Sequence, residues 1–179
     1  MENMFKVLKR EEVSAKNQQV FDQLKKVFGF IPNLYSAFAY SENALEAYIN
    51  LKNSKTSLTK KEVEAATLVV SQVNNCVYCL SAHTVVAKLN GFTEEQTLEL
   101  RKGFASFDKK LDALVKLAKQ LSAERHPGDG TLVTDFFEAG YSKENLIDLI
   151  VQIGDRTISN IVHAVTQVPN EYPLAKSID

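Results

Sequence analysis

Residues 59–91, TKKEVEAATLVVSQVNNCVYCLSAHTVVAKLNG, decide the fold of this chain. They open on a capping box, because Thr59 precedes Glu62 by three residues and each side chain can accept the backbone N–H of the other residue. The apolar residues after the cap recur every three or four positions, as on one face of a helix: Val63, Ala66, Val70 and Val73. The stretch therefore predicts a helix that begins at Thr59 and runs to Val73.

Asn74 and Asn75 are predicted to divide this stretch into two helices. Without a break, the twelve residues from Glu64 to Cys76 would span about 18 Å of one continuous helix. A turn at the two asparagines folds the second helix back along the first and brings Glu64 beside His83. The sequence thus predicts a helical hairpin in which a carboxylate on the first helix orients an imidazole on the second.

The rest of the chain also follows a helical pattern. Strand-like alternation is scarce, and apolar spacing of three and four dominates. Only seven Gly and four Pro interrupt 179 residues, so helices with short connections are expected. The predicted helices outside the hairpin are Ser14–Phe28, one opened by Pro32, one capped by Thr93, Asp108–Ala123, Leu132–Ala139 and Lys143–Thr166. We therefore predict an all-α fold that forms a single domain over residues 1–179.

Charge and hydropathy exclude several classes of partner. The formal net charge is −1, and acidic residues surround each pair of adjacent lysines, so a nucleic-acid-binding surface is not expected. No apolar run approaches the ~18 residues that span a bilayer, so no membrane insertion is expected. The segment Met1–Glu12 is charged throughout and lacks the apolar core of a signal peptide. These features predict a cytoplasmic protein, in which isolated structural disulfides are rare.

The two cysteines of the chain, Cys76 and Cys79, lie three residues apart. In a reducing compartment this spacing favours redox chemistry, because thiols one helical turn apart can close a disulfide. A helix capped by Asn74 or Asn75 would place Cys76 at its positive end, which lowers the pKa of a thiol. His83 lies four residues after Cys79 on the same helix face, where it can take the thiol proton. The dipole therefore favours Cys76 as the nucleophile, and the neighbouring base favours Cys79.

Two structural interpretations compete with this redox interpretation. A cysteine pair near a histidine can fill a core without taking part in chemistry. A structural zinc site needs four ligands, and Cys76, Cys79 and His83 form an incomplete set with no second Cys/His cluster. Neither a metal nor another cofactor is therefore expected.

The last predicted helix, Lys143–Thr166, is apolar over more of its circumference than a single surface stripe requires. Its apolar residues are Leu146, Ile147, Leu149, Ile150, Val151, Ile153, Ile158, Ile161, Val162 and Val165. Such a helix is either central to the core or partly buried against another subunit, and we prefer a homo-oligomer. Asp155 and Arg156 interrupt the apolar pattern and are predicted to form a structural ion pair at a subunit contact.

The motif of the hairpin resembles the core of the alkylhydroperoxidase D-like (AhpD-like) family, within the carboxymuconolactone decarboxylase-like superfamily. The resemblance rests on a glutamate, eleven residues, Cys-x-x-Cys, three residues and a histidine: Glu64, Cys76, Cys79 and His83. Upstream, Gly29-Phe30-Ile31-Pro32-Asn33-Leu34 is similar to the peroxidase-related branch of that family. The similarity covers residues 28–92, and beyond them it extends mainly to the helical pattern.

The resemblance implies an AhpD-like helical bundle with the CxxC motif at a helix N-terminus, assembled as a trimer or a hexamer. It implies that Cys79 attacks the peroxide oxygen and that Cys76 resolves the resulting sulfenic acid into a disulfide. Glu64 and His83 are implied as the proton relay. The best-known members have a second histidine where this chain has Tyr78, which bears on the rate rather than on the thiol chemistry.

The expected function is therefore a thiol-dependent hydroperoxide reductase that cycles through a Cys76–Cys79 disulfide. Its expected partners are a hydroperoxide substrate and a thiol reductant, such as a dihydrolipoyl-type donor. Two alternatives use the same cysteines: a disulfide reductase or thiol-exchange protein, and a non-catalytic helical oligomer that senses oxidants.

Overall fold

A computed structural model describes residues 4–178 of the chain. Residues 1–3 of the charged N-terminal segment, and residue 179, lie outside the described residues. Every regular element within residues 4–178 is a helix, which confirms the all-α prediction. After a 3₁₀ turn at Arg10–Glu12, the helices are α1 (Ala15–Phe28), α2 (Asn33–Phe38), α3 (Glu42–Lys52), α4 (Lys60–Val73), α5 (Val77–Leu89), α6 (Glu94–Lys102), α7 (Lys109–Glu124), α8 (Thr131–Glu138) and α9 (Lys143–Thr166).

The helix ends follow from local capping chemistry. Thr59 accepts a hydrogen bond from the N–H of Glu62, whose side chain accepts the N–H of Thr59, so the predicted capping box closes the start of α4. Thr93 caps α6 in the same way with Gln96. Helix α1 ends at Gly29, which adopts a φ of 82°, a left-handed conformation that favours glycine. The sequence therefore predicted these boundaries to within a residue.

The chain forms two compact units, which we describe separately. The smaller unit comprises the chain up to Ser54 together with Ile161–Glu171. Within it, the rings of Phe38 and Tyr48 stack with centroids 4.1 Å apart. The start of α2 is held by Asn33, whose backbone N–H donates to the Glu171 carboxylate and whose side chain donates to the Pro169 carbonyl.

The larger unit comprises Lys55–Asn160 and the C-terminal residues from Tyr172 onward. Helix α4 is its centre, because every residue from Glu64 to Ser71 is buried. Leu68 and Val69 of α4 belong to a buried apolar cluster whose other members come mainly from α5, α6 and α7, and include Leu80, Leu100, Leu114, Val115, Leu117 and Phe136. Glu64 is therefore buried near the start of the central helix.

Helix α9 reverses the usual amphipathic arrangement. Its buried positions are mostly polar: Leu149, Asp155, Arg156, Ser159, Asn160 and Thr166. Its large exposed side chains are apolar: Ile147, Ile150, Val151, Ile158, Ile161 and Val165. The wide apolar surface predicted from the sequence is therefore present and uncovered in a single chain. Among residues 4–178, no helix is long and apolar enough to cross a membrane.

Candidate active site

The turn between α4 and α5 brings the predicted site residues together. Helix α4 ends at Val73, α5 begins at Val77, and Asn75 adopts a φ of 52° between them. Asparagine tolerates this left-handed conformation better than most non-glycine residues, so the sequence favours a reversal here. The predicted break at Asn74-Asn75 is confirmed. The cap of α5 differs from the expectation, because it is Cys76 itself rather than an asparagine.

Cys76 and Cys79 are joined as a disulfide, with their Cα atoms 5.3 Å apart. The Sγ atom of Cys76 also accepts a hydrogen bond from the backbone N–H of Cys79 at 3.3 Å. Because Cys76 has the extended backbone of an N-cap residue, its side chain turns towards the first turn of α5 and reaches the second sulfur. Both cysteines are buried, with exposed fractions of 3% and 2%.

Glu64 and His83 meet across the hairpin. Oε2 of Glu64 lies 2.8 Å from Nδ1 of His83, although the two residues are 19 positions apart. Glu64 is only 7% exposed, and the residues that follow it on α4, up to Ser71, are buried as well. The contact predicted from the turn at Asn74-Asn75 is therefore present in the fold.

Arg156 of α9 occupies the other side of the same imidazole. Its Nη1 lies 2.7 Å from Nε2 of His83, and its other nitrogens donate to the Asp155 carboxylate. A guanidinium only donates hydrogen bonds, so Nε2 of His83 must be the acceptor and carry no proton. The remaining ring proton then lies on Nδ1 and is donated to Glu64. The network thus assigns His83 as a neutral imidazole held between a carboxylate and a guanidinium.

Arg156 is the site residue that the sequence did not predict as such. The sequence pointed to Asp155 and Arg156 only as a pair that interrupts an apolar helix, and placed this pair at a subunit contact. The structure corrects that placement, because both residues are buried within one chain. The interruption of the apolar pattern was the only signal, and it does not reveal a partner 73 positions away.

Polar contacts between α9 and α4 fix where Arg156 lies. The Asn160 side chain donates to Ser71 and accepts from Asn74, next to the hairpin turn. About two helical turns before Asn160, Gln152 donates to Thr67 at 2.9 Å. These bonds pair polar side chains on the buried face of α9 with α4 and set the register of the two helices.

Tyr78, the residue immediately before Cys79, is buried and takes part in an aromatic contact. Its ring lies 5.6 Å from the ring of Tyr172, edge to face, in the C-terminal segment. Tyr78 therefore packs against this segment. Among residues 4–178, no group of three or more His, Cys, Asp or Glu side chains is arranged to hold a metal ion.

The comparison with protein families confirms the resemblance stated from the hairpin motif. Residues 39–120 match the model of the carboxymuconolactone decarboxylase family. The matched segment extends from the end of α2 into α7 and contains Glu64, both cysteines and His83, but not Arg156. No curated protein shows significant sequence similarity to the chain.

Solved structures share the fold along nearly the whole chain. A peroxidase-related protein from Silicibacter sp. TM1040, described as uncharacterized, superposes with a TM-score of 0.80 at 20% identity, covering 93% of this chain and 91% of that one. An uncharacterized peroxidase-related protein from Ralstonia eutropha JMP134, described as an alkylhydroperoxidase AhpD core, has a TM-score of 0.80 at 18% identity, covering 89% and 87%. The debrominase Bmp8 has a TM-score of 0.76 at 18% identity, covering 92% and 90%. The fold is therefore AhpD-like.

Proposed function

We propose that the chain is a thiol-dependent hydroperoxide reductase that cycles through the Cys76–Cys79 disulfide. The observation that carries this proposal is the disulfide one turn into α5, on the same helix as an imidazole held by Glu64. A dithiol that closes to a disulfide donates two electrons, which is what reduction of a peroxide O–O bond requires. The AhpD-like fold supports the same assignment.

In the first step, the thiolate of Cys79 attacks the terminal oxygen of a hydroperoxide. The O–O bond breaks, the sulfur is oxidised to a sulfenic acid, and the leaving alkoxide takes a proton to become an alcohol. His83 and Glu64 are proposed to move that proton, because His83 lies one helical turn after Cys79. In the disulfide form, Nε2 of His83 accepts a hydrogen bond from Arg156. The proposal therefore requires the Cys79 thiol of the reduced protein to replace Arg156 as the hydrogen-bond donor to Nε2.

In the second step, the thiol of Cys76 attacks the sulfur of the sulfenic acid on Cys79. The S–O bond breaks, the S–S bond forms, and the oxygen leaves as water after taking a proton. The hydrogen bond from the N–H of Cys79 to Sγ of Cys76 supports this role, because it directs the sulfur of Cys76 towards the turn that carries its partner. Two external thiol equivalents then return the pair to the reduced state.

Reductive debromination is a second candidate, favoured by one specific observation. Bmp8, with which this chain shares its fold, is a debrominase and has been crystallised in complex with 2,3,4-tribromopyrrole. Replacement of a carbon-bound bromine by hydrogen also consumes two electrons, so the same dithiol couple has the required capacity. The two candidates differ in the bond that the thiolate attacks and are separable by product.

A single-turnover reaction tests the proposal. Protein reduced at both cysteines and freed of reductant is mixed in a stopped-flow instrument with hydrogen peroxide, with tert-butyl hydroperoxide or with 2,3,4-tribromopyrrole. We expect one equivalent of hydroperoxide to be consumed for each disulfide formed, and no bromide to be released. The Cys79→Ser variant is the matched control.

Release of bromide at a rate above that of peroxide consumption would favour the second candidate. If the wild-type protein consumes neither substrate faster than Cys79→Ser, both catalytic proposals are wrong. A thiol-exchange protein or a redox sensor would then remain.

A further inference from the structure

A pocket of about 260 Å³ lies beside the start of α5 in the larger unit. Asn75 and Val77, the two chain neighbours of Cys76, line one part of it. Arg101 of α6 and Lys176 of the C-terminal segment line another part. We refer to it as the Arg101 pocket. It borders the disulfide motif, but it contains none of the residues of the Glu64–His83–Arg156 network.

Arg101 is a buried cation whose hydrogen-bond acceptors among residues 4–178 are neutral groups. It is 6% exposed, its Nε donates to the side-chain oxygen of Gln72 at 2.9 Å, and its Nη1 donates to the Lys176 carbonyl at 2.5 Å. Both acceptors are neutral, and no carboxylate among residues 4–178 forms an ion pair with it. The buried Arg156, in contrast, is paired with Asp155.

An unpaired charge in a buried position is costly, and an anion in the pocket would compensate it. The negative end of α6, where Arg101 lies, offsets only part of the charge. Burial lowers the pKa of the Arg101 guanidinium, against the raising effect of the charge on Glu94. Within residues 4–178, the Arg101 side chain thus lines a cavity and has no carboxylate in hydrogen-bond contact.

Two neighbouring features also favour an anion. The N-terminus of the 13-residue helix α5, which is its positive end, lies beside the pocket, because Val77 is its first residue and lines the pocket. The Lys176 residue at the rim is exposed. Val77 lines the pocket and is 55% exposed, so an apolar surface is accessible next to Cys76 in the chain.

We propose that the Arg101 pocket binds the carboxylate of a small thiol that reduces the Cys76–Cys79 disulfide. The inference deepens the proposed function by naming the class of its reductant. Cys76 is 3% exposed, so attack on its sulfur favours a molecule small enough to enter a pocket over the surface of another protein. The carboxylate lies at Arg101, and the short carbon chain crosses Val77 towards Cys76.

The disulfide is reduced in two exchange steps. The reductant thiolate attacks Sγ of Cys76, a mixed disulfide forms, and Cys79 leaves as a thiolate that takes a proton. A second molecule of the thiol attacks the reductant sulfur of the mixed disulfide and releases the thiol of Cys76. Two small thiols are thereby oxidised to one small disulfide, and the protein disulfide is reduced by two electrons.

The test measures disulfide reduction with three small thiols of different charge and no peroxide. Oxidised protein is mixed with 3-mercaptopropionate, 2-mercaptoethanol or cysteamine, quenched by alkylation and read by mass spectrometry, with rates expressed per thiolate. We expect the anionic thiol to react about tenfold faster than the neutral one, and cysteamine to react most slowly, because opposite charge favours docking. Arg101→Gln should remove this preference, whereas Arg125→Gln, at an exposed arginine, should keep it.

Competition by inorganic phosphate tests the wild-type protein without any substitution, so the proposal stays testable if Arg101→Gln does not fold. Phosphate should slow reduction of the disulfide by 3-mercaptopropionate and leave reduction by cysteamine unchanged. Equal rates per thiolate for all three thiols in the wild type would overturn the inference, as would a preference that survives Arg101→Gln. Reduction by a protein dithiol alone would overturn it as well. Because no peroxide is present, these results do not depend on whether the protein reduces hydroperoxides.

Discussion

Helices α4 and α9 reach the same imidazole from opposite sides and with opposite charge. Glu64 of α4 holds Nδ1 of His83, and Arg156 of α9 holds Nε2. The two helices differ in their surroundings, because α4 is enclosed by the core, whereas α9 buries a polar face and exposes an apolar one. Local sequence therefore suffices to position the carboxylate, while the guanidinium depends on packing between distant segments.

This difference separates the residues that the hairpin positions from the one that α9 positions. The carboxylate and the thiols lie on one hairpin, so their geometry is fixed by a single turn. The guanidinium belongs to α9, whose large apolar side chains are exposed in one chain. A shift in the position of α9 would therefore move Arg156 relative to His83 without any change in the hairpin.

The largest expected effect comes from the cysteines. Cys79→Ser should abolish peroxide consumption, because the attacking thiol is lost, and Cys76→Ser should let a sulfenic acid accumulate on Cys79, because the resolving thiol is lost. A dimedone-type trap read by mass spectrometry checks both. Labelling of Cys76 in an active Cys79→Ser variant would reverse the two roles.

The next largest effect comes from the α4 side of the imidazole. Glu64→Gln and His83→Asn should each slow peroxide consumption by about 10²- to 10⁴-fold, the usual contribution of a positioned acid–base group. Initial rates measured from pH 5 to 9 check this, and Glu138→Gln at an exposed position is the matched control. Unchanged rates in both variants would remove the relay from the mechanism.

On the α9 side, we expect substitution of Arg156 to change mainly the free energy of unfolding. Arg156→Met leaves the buried Asp155 carboxylate unpaired and should lower the free energy of unfolding by about 3–5 kcal/mol. The double variant Asp155→Asn/Arg156→Met should recover much of that loss, because no lone charge remains buried. Urea denaturation measures the free energy of unfolding of both variants. Equal losses of that free energy would show that the unpaired Asp155 carboxylate is not the cause of the destabilisation.

The sequence predicted the hairpin side of the site and failed on the α9 side for physical reasons. The hairpin depends on interactions between residues close together in the chain, namely the capping box of Thr59 and Glu62 and the turn at Asn74-Asn75. Capping rules and helical spacing therefore suffice to locate them. The sequence did not predict that Cys76 caps α5. Its sulfur accepts the backbone N–H of Cys79, and the usual N-cap preferences are for side-chain oxygens. The partner of Arg156 depends on the register that Asn160 and its neighbours set against α4, and no local pattern encodes that register.

The expected homo-oligomer remains a prediction, and the exposed apolar residues of α9 are the reason to test it. Light scattering at micromolar concentration should give three or six times the 20.0 kDa mass of one chain. Ile150→Glu should lower that mass, because it places a charge among the exposed apolar residues. Lys143→Glu, at the polar start of the same helix, should not. A mass of one chain for the unsubstituted protein would contradict the expectation.

The smallest expected effect is at the hairpin turn. Asn75→Ala should lower the free energy of unfolding by about 1 kcal/mol, because alanine is strained in the left-handed conformation that Asn75 adopts. Asn75→Gly should have little effect, since glycine adopts it freely. Thermal or urea unfolding measures both, and equal losses for the two variants would assign the cost to the side chain rather than to the backbone.

The central claim is that His83 is a neutral imidazole with its proton on Nδ1, held between Glu64 and Arg156. Nitrogen-15 NMR of the oxidised protein tests it directly, with the His83 signals identified by their loss in His83→Asn. The account predicts a protonated Nδ1 and an unprotonated Nε2 at neutral pH, and a loss of that preference in Asp155→Asn/Arg156→Met. A His83 with its proton on Nε2, or on both nitrogens, in the unsubstituted protein would contradict it.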